Sequence, residues 1–93
     1  MGGIIRKIVY EADQQRAAVY DQGRLIGQCI YEDKGDHWII TTTKVDLAYG
    51  GQGLGRQLVD AVVAAARKQG VKLRATCSYA VKVLAKPGYE DLH

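Results

Sequence analysis

The chain has 93 residues, a length that fits one domain with one hydrophobic core. Hydrophobic residues make up 47% of it and charged residues 25%, which is typical of a folded, soluble protein. No apolar run is long enough for a membrane span or a signal peptide. The formal net charge is +3 and the basic residues are scattered. This pattern favours an anionic ligand weakly and disfavours a dedicated nucleic-acid-binding protein.

The first half of the sequence predicts an antiparallel sheet. Segments 4–10, 17–20, 25–31 and 38–45 are rich in β-branched and aromatic residues. Asp21-Gln22-Gly23 predicts a tight turn between the second and third of these strands. The two cysteines, Cys29 and Cys77, form no metal-binding spacing and predict reduced thiols in a cytoplasmic protein without a metal site.

The second half changes period and predicts a long helix over residues 53–69. Leu54, Leu58, Val62 and Ala65 recur at helical spacing, and Gly70 follows as a helix-ending residue. Residues 71–75 alternate as one more strand, and residues 79–85 predict a short helix. The order of strand, glycine loop, helix and strand places a phosphate at the start of the long helix.

Four glycines stand in six positions directly before this helix: Gly50, Gly51, Gly53 and Gly55. A helix start has free N–H groups and the positive end of the helix dipole, so glycine-rich backbone there can surround a phosphate. The alternative is a tight turn that only needs unusual φ angles. Arg56 or Leu58 replaces the third glycine of a dinucleotide fingerprint, and Arg56-Gln57 replaces the Lys-Ser/Thr pair of a Walker A loop. Both of those nucleotide sites are therefore disfavoured.

The stretch GGQGLGRQLVDAVVAAARKQGVKLRATCSYA resembles the acetyl-CoA signature of the GNAT-type N-acetyltransferases, in which Gly53 and Gly55 match the glycines. The sequence resembles more closely the short single-domain family of YjdJ-like and NATD1-like proteins. In that family His-Thr-Glu-Val precedes the loop, Cys-Pro-Phe follows the next strand, and His-Pro-Glu-Tyr-x-Asp-Leu ends the chain. The corresponding stretches here are Thr42-Thr43-Lys44-Val45, Cys77-Ser78-Tyr79 and Lys86-Pro87-Gly88-Tyr89-Glu90-Asp91-Leu92.

The resemblance implies an α+β, GNAT-like fold over residues 1–93: a mostly antiparallel sheet, one long helix after the loop and a short C-terminal helix. It implies acetyl-CoA as cosubstrate, with its pyrophosphate on the loop amides and its pantetheine arm along an opening beside the central strand. The Arg56 side chain either adds charge to the phosphates or is simply solvated, and Lys82 and Lys86 are weaker candidates for the 3′-phosphate. The implied cofactor-binding residues are Thr43, Lys44, Val45, Gly51, Gln52, Gly53, Leu54, Gly55 and Arg56.

Acetyl transfer needs a deprotonated amine, a group that polarises the thioester and often an acid for the departing thiolate. The resemblance implies Cys77 near the thioester, as that acid or as an acyl acceptor, and a buried core thiol is the alternative. Tyr79 lies near the position of the thiolate-protonating tyrosine of many GNAT enzymes, and a packing role is its alternative. Cys77 and Tyr79 are therefore the catalytic candidates.

The sequence departs from the family at the positions that would supply a general base for the acceptor amine. The family His and Glu of the central strand are Thr42 and Lys44, and the arginine at the loop entrance is Gly50. A lone histidine beside a turn, His37, is more often a surface residue, so a bound water or the amine's own equilibrium is left to deprotonate the acceptor. Without N-terminal helices to wall it in, the acceptor is expected to be a bulky or exposed amine.

The leading hypothesis is a small cytoplasmic transferase that moves acetyl from acetyl-CoA to an unidentified amine, on a small molecule or a protein. The alternative is a non-catalytic acyl-CoA-binding or interaction module on the same fold. A nucleic-acid-binding protein comes last, because the sequence contains no RNP-like or helix-turn-helix pattern.

Overall fold

The computed structural model describes residues 6–93, which form a mixed α+β fold with a five-stranded sheet and two helices. The predicted residues 4 and 5 of the first strand lie outside the described residues. The sheet order follows the chain, with β1 to β4 antiparallel and β5 parallel to β4. The elements are β1 (Arg6–Glu11), β2 (Arg16–Asp21), β3 (Arg24–Asp33), β4 (His37–Val45), α1 (Leu54–Gln69), β5 (Lys72–Ala75) and α2 (Ser78–Leu84).

The predicted turn between β2 and β3 is a two-residue hairpin. Gln22 has a φ of 51° and Gly23 a φ of 80°, and two consecutive positive φ angles match the right-handed twist of the strands that they join. The predicted fold class is thus confirmed, with strand ends that differ from the prediction by one or two residues.

Helix α1 packs seven buried residues against one face of the sheet. Leu58, Val59 and Val62 are fully buried on the helix side, together with Val19 of β2 and Ile40 of β4. Burial of each such side chain stabilises the fold by about 1.5–3 kcal/mol. The helix begins at Leu54, with Gly53 as its N-cap, one residue later than predicted. None of the helices in residues 6–93 combines the length and the apolar character that a membrane span requires.

The C-terminal end of α1 is closed by backbone hydrogen bonds. Gly70 has a φ of 71°, and its N–H donates to the carbonyls of Ala66 and Arg67. The N–H of Val71 donates to the same Ala66 carbonyl at 3.1 Å, as in the helix-ending motif that glycine favours. Arg67 and Lys68 lie in the last turn, where cations interact favourably with the helix dipole.

The sheet opens between β4 and β5. Their pairing runs from His37 with Lys72 to Ile40 with Ala75, and beyond it β4 continues to Val45 without a neighbour on that side among the described residues. Opposite Ile30 and Tyr31 of β3 the register passes over Thr41, so β4 has a β-bulge there. A bulge bends and twists its strand, and this one lies where β4 leaves β5.

A segment after α2 is fastened to the surface of α1. The ring of Tyr89 lies within reach of the guanidinium groups of Arg56 and Arg67, 5.6 Å and 5.9 Å from the ring centre. Its hydroxyl donates to the Asp60 carboxylate at 2.6 Å, and Arg67 forms two 3.0 Å hydrogen bonds to Asp91. These contacts hold residues 87–92 against the helix that begins at the glycine loop.

Candidate active site

The glycine-rich loop is anchored to the sheet before it reaches α1. The N–H of Asp46 donates to the carbonyl of Ile26 at 2.7 Å, and the Asp46 carboxylate accepts from the N–H of Ala48 at 3.0 Å. The hydroxyl of Tyr49 donates to the carboxylate of Asp21 at the end of β2. The loop therefore begins from a fixed point beside the open edge of β4.

Six consecutive backbone amides follow, from Gly51 to Arg56, and none of them has an acceptor among the described residues. The first bond of the helix is donated by Gln57 to the carbonyl of Gly53. No side chain caps this end, and no acidic residue lies in the first turn. The start of α1 thus keeps its free N–H groups and the positive end of its dipole, as a phosphate site requires.

These amides belong to a cleft of about 390 Å³ between the loop, β4 and α2. Seven of the predicted cofactor-binding residues line it: Thr43, Val45, Gly51, Gln52, Gly53, Leu54 and Gly55. Tyr79 lines it from α2, and two residues that the sequence analysis did not assign, Tyr49 and Gly50, complete it. The signal for Tyr49 was an aromatic side chain directly before the glycines.

Glycine is required at two positions of the loop for different structural reasons. Gly53 has a φ of 75°, which other residues rarely adopt. At Gly55 the reason is close approach, because a Cβ atom there would lie 3.3 Å from three atoms of the Tyr79 side chain. The ring of Tyr79, 42% exposed, therefore forms a wall of the cleft directly beside the first turn of α1.

Two predicted cofactor-binding side chains do not reach this cleft. Lys44 is exposed in a groove beside Gln28, because alternate residues of a strand face opposite sides of a sheet. The guanidinium of Arg56 donates to the Tyr89 hydroxyl at 2.7 Å and 3.1 Å and pairs with Asp60 at 3.3 Å. The Arg56 side chain thus takes neither of its two predicted places: it forms a network with Tyr89 and Asp60 and does not line the cleft.

The Cys77 thiol lies at the end of the β4–β5 pairing, where the backbone N–H groups of Thr76 and Cys77 both donate to Ile40. Burial raises the pKa of this thiol, but hydrogen bonds from the Ala80 backbone, the Thr43 side chain and two further backbone groups together lower it by more, so the pKa is below its ordinary value. Cys77 is also the N-cap of α2. It is half-buried and packs against the edge of the hydrophobic core.

Cys29 is the core thiol of the pair. It is fully buried, accepts a hydrogen bond from the Thr43 hydroxyl at 3.6 Å, and burial raises its pKa to about 11. Thr43 thus contacts both sulfurs. The pKa values of the two thiols shift in opposite directions, because Cys29 is enclosed by apolar side chains and Cys77 faces backbone N–H groups.

The described histidines lie away from the cleft. His37 pairs with Asp36 at 2.8 Å in the turn before β4, and the His93 ring contacts the Leu84 carbonyl at 3.1 Å. Among residues 6–93, no group of three or more His, Cys, Asp or Glu side chains could hold a metal ion. The residues that line the cleft thus offer backbone amides and the hydroxyl-bearing side chains of Thr43, Tyr49 and Tyr79, and Cys77 is not among the lining residues.

A family model described as GCN5-related N-acetyl-transferase matches residues 10–92. The chain belongs to this family. The description of the family supports acetyl transfer as its general activity. A search among curated protein sequences finds no match.

Solved structures agree with this assignment. A GCN5-like protein from Staphylococcus aureus is 29% identical, with a TM-score of 0.72 over 92% of this chain and 85% of that one. A ribosomal-protein-alanine N-acetyltransferase from Brucella melitensis is 18% identical (TM-score 0.60, 74% of this chain and 58% of that one). N-acetylglutamate synthase from Neisseria gonorrhoeae, solved with coenzyme A and N-acetyl-glutamate, is 19% identical (TM-score 0.59, 73% and 19%). The chain spans about three fifths and one fifth of the last two, whose likeness shows the fold.

Proposed function

We propose that this chain transfers an acetyl group from acetyl-CoA to an amine, as a short single-domain member of its family. The observation that carries the proposal is the run of six unpaired amides, from Gly51 to Arg56, beside an open strand edge. A pyrophosphate is the ligand that such a helix start favours. Backbone groups at Thr43 and Val45 offer the pantetheine amides hydrogen bonds like those of an added strand.

In this proposal the phosphates are held without a cationic side chain from the first turn. Because Tyr89 and Asp60 occupy the Arg56 guanidinium, the amides and the helix dipole supply the positive potential. Lys82 and Lys86 are exposed on and after α2 and remain the candidates for the 3′-phosphate. Comparison of CoA with 3′-dephospho-CoA in binding measurements tests this assignment.

Cys77 is the proposed acid or acyl acceptor. As an acid, its thiol gives a proton to the CoA sulfur as the amine nitrogen bonds to the acetyl carbon and the carbon–sulfur bond breaks, and the surplus proton of the nitrogen then returns to the Cys77 thiolate. As an acceptor, its thiolate first takes the acetyl group and releases CoA thiolate, and the amine then takes the acetyl group from Cys77. Mass spectrometry of protein incubated with acetyl-CoA and no amine separates the two, since only the second adds one acetyl group to Cys77.

Tyr79 is the second proposed catalytic residue, as a proton donor to the departing thiolate. Its contact with Gly55 also gives its ring a wall-forming role. Tyr79→Phe keeps the ring and removes the hydroxyl, so a fall in kcat with unchanged acetyl-CoA affinity supports proton donation. Unchanged kcat assigns the ring to packing alone.

The decisive experiment is isothermal titration with acetyl-CoA, with ATP and NAD as controls, followed by a panel of amines. We expect selective binding of acetyl-CoA and formation of an amide product. In Cys77→Ala we expect the rate of amide formation to fall without a comparable loss of acetyl-CoA affinity. Absence of acetyl-CoA binding by the folded protein contradicts the proposal.

A second candidate function is a non-catalytic acyl-CoA-binding module. It is favoured by the replacement of the family His and Glu by Thr42 and Lys44, because no side chain that lines the cleft is a strong base. Tight acetyl-CoA binding with no amide product across primary amines, peptides and polyamines decides for this function.

A further inference from the structure

The first turn of α1 carries the last three of the unpaired amides, those of Leu54, Gly55 and Arg56. The Leu54 side chain anchors this turn in the core with 5% exposure, and Gly55 has no side chain to add a polar contact. The polar anchor of the turn is therefore the guanidinium of Arg56. Helix ends whose backbone groups lack partners tend to fray, so the contacts of this guanidinium affect the order of the amides.

The Tyr89 hydroxyl binds this guanidinium with its full hydrogen-bonding capacity. It accepts from Nη2 of Arg56 at 2.7 Å and from Nε at 3.1 Å, and it donates to the Asp60 carboxylate at 2.6 Å. A tyrosine hydroxyl has one proton to donate, and here two N–H donors approach its oxygen. Asp60 lies four residues after Arg56 and also pairs with it at 3.3 Å. The Tyr89 hydroxyl therefore joins the first turn of α1 to the second.

Tyr89 is itself held by contacts that do not involve the first turn. Its side chain is 7% exposed, and Leu92, three residues later, is 1% exposed in the same core. Arg67 binds the residues on both sides of it, with hydrogen bonds to the Gly88 carbonyl at 2.6 Å and to the Asp91 carboxylate at 3.0 Å. Tyr89 thus presents a fixed oxygen to a helix start that has no capping side chain.

We propose that Tyr89 is a positioning residue for the CoA pyrophosphate. Through Arg56 it holds the first turn of α1, and with it three of the phosphate-binding amides, in the arrangement that binds the ligand. A turn that is ordered before binding loses less conformational entropy on binding, so the ligand binds more tightly. The inference rests on the proposed function for the identity of the ligand, whereas the order of the turn is a property of the chain without ligand.

The test uses the full chain and Tyr89→Phe, which keeps the buried ring and removes the hydroxyl. The Gln57 amide forms the first hydrogen bond of the helix, and without ligand we expect its hydrogen exchange to be about fivefold faster in the variant. We expect acetyl-CoA affinity to fall about fivefold, and KM for acetyl-CoA to rise with kcat unchanged. Unchanged exchange of Gln57, or unchanged affinity in a chain that binds acetyl-CoA, overturns the proposal.

Arg67→Gln is the matched control, because it loosens the same C-terminal segment at the other end of α1. We expect it to lower Tm while the exchange of Gln57 and the affinity for acetyl-CoA keep their wild-type values. If it changes both as much as Tyr89→Phe does, the effect is a general loss of stability and the positioning role is overturned.

Arg56→Gln separates positioning from a direct charge on the phosphates. Under the proposal it lowers the affinity as Tyr89→Phe does, and the double variant binds no more weakly than either single variant. If Tyr89 instead withholds the guanidinium from the phosphates, Tyr89→Phe frees it and strengthens binding at low salt, which overturns the proposal. If the wild type does not bind acetyl-CoA, the proposed function fails, and the exchange of Gln57 alone decides whether Tyr89 orders the turn.

Discussion

The two ends of helix α1 have the same residue in nearly the same conformation, but the hydrogen bonding of their terminal backbone groups differs. Gly53 at the start has a φ of 75° and Gly70 at the end a φ of 71°. At Gly70 the neighbouring carbonyls receive backbone hydrogen bonds, and two cations complement the dipole. At Gly53 six amides lack acceptors within residues 6–93, and the first turn contains no acidic residue.

This difference teaches what a glycine at a helix end signifies. A left-handed glycine closes a helix when the terminal groups bond to each other, and then its contribution is to stability. The same glycine marks a binding site when the terminal groups lie open beside a cleft. The decisive evidence is therefore the hydrogen bonding around the glycine and not its presence.

The largest expected effect comes from placing the same Cβ at each end. Nothing lies within 4 Å of a Cβ atom at either Gly53 or Gly70, so Gly53→Ala and Gly70→Ala suffer similar backbone strain of about 1 kcal/mol. We expect Gly53→Ala to lower acetyl-CoA affinity by about tenfold through weakened phosphate hydrogen bonds. Gly70→Ala lowers only Tm. Thermal denaturation and calorimetric titration measure both, and equal affinities contradict the phosphate cradle.

A smaller effect comes from placing a negative charge at each end. Gln57 and Gln69 are both exposed on α1. Gln57→Glu places a carboxylate near the positive end of the dipole and stabilises the helix by about 0.3–1 kcal/mol, yet it repels the pyrophosphate and weakens acetyl-CoA binding about threefold at low salt. Gln69→Glu destabilises the helix by a similar amount and leaves binding unchanged. If Gln57→Glu binds as well as the wild type in low salt, the anion lies elsewhere.

Helix α2 offers a second helix start, at which Cys77 and not glycine is the N-cap. Its lowered pKa predicts that alkylation by iodoacetamide reaches half its maximal rate below pH 9.0, the ordinary pKa of the thiol, because the thiolate reacts and its fraction rises with pH. Cys29, with a pKa of about 11, stays unreacted in the folded protein over that range. Mass spectrometry of each cysteine against pH tests this, and bound acetyl-CoA is expected to protect Cys77.

The smallest effect is expected at the closed end of α1. Arg67→Gln removes the hydrogen bonds to Asp91 and to the Gly88 carbonyl, so Tm falls slightly while acetyl-CoA affinity stays the same. Lys68→Gln is the control, since it removes a cation from the same turn without those contacts. A change of affinity in Arg67→Gln alone shows that the two ends are energetically coupled.

Most of the fold could be predicted because its signals are local. The β-branched residues of segment 38–45, the alternation over residues 71–75 and the helical period from Leu54 onward each depend on neighbouring residues. The β-bulge at Thr41 depends on the register of β3 against β4, and no spacing within either strand encodes it.

The candidate site also has features that depend on adjacent residues and features that depend on distant contacts. Its glycines could be found because they are adjacent in the sequence, and they line one cleft. The place of the Arg56 side chain depends on Tyr89, 33 residues away, and that contact forms only when the C-terminal segment packs on α1. Sequence reasoning therefore located the loop and not the direction of its charged side chains.

The single tryptophan of the chain lies at the opposite end of β4 from the cleft. Trp38 is 1% exposed and stacks on Tyr31 with ring centres 4.1 Å apart. The β4 residues of the cleft, Thr43 and Val45, lie five and seven positions away, which is about 17 Å and about 23 Å along a strand. Its fluorescence should therefore report the unfolding of the core and be insensitive to ligands in the cleft, which gives every variant above a built-in optical control for folding.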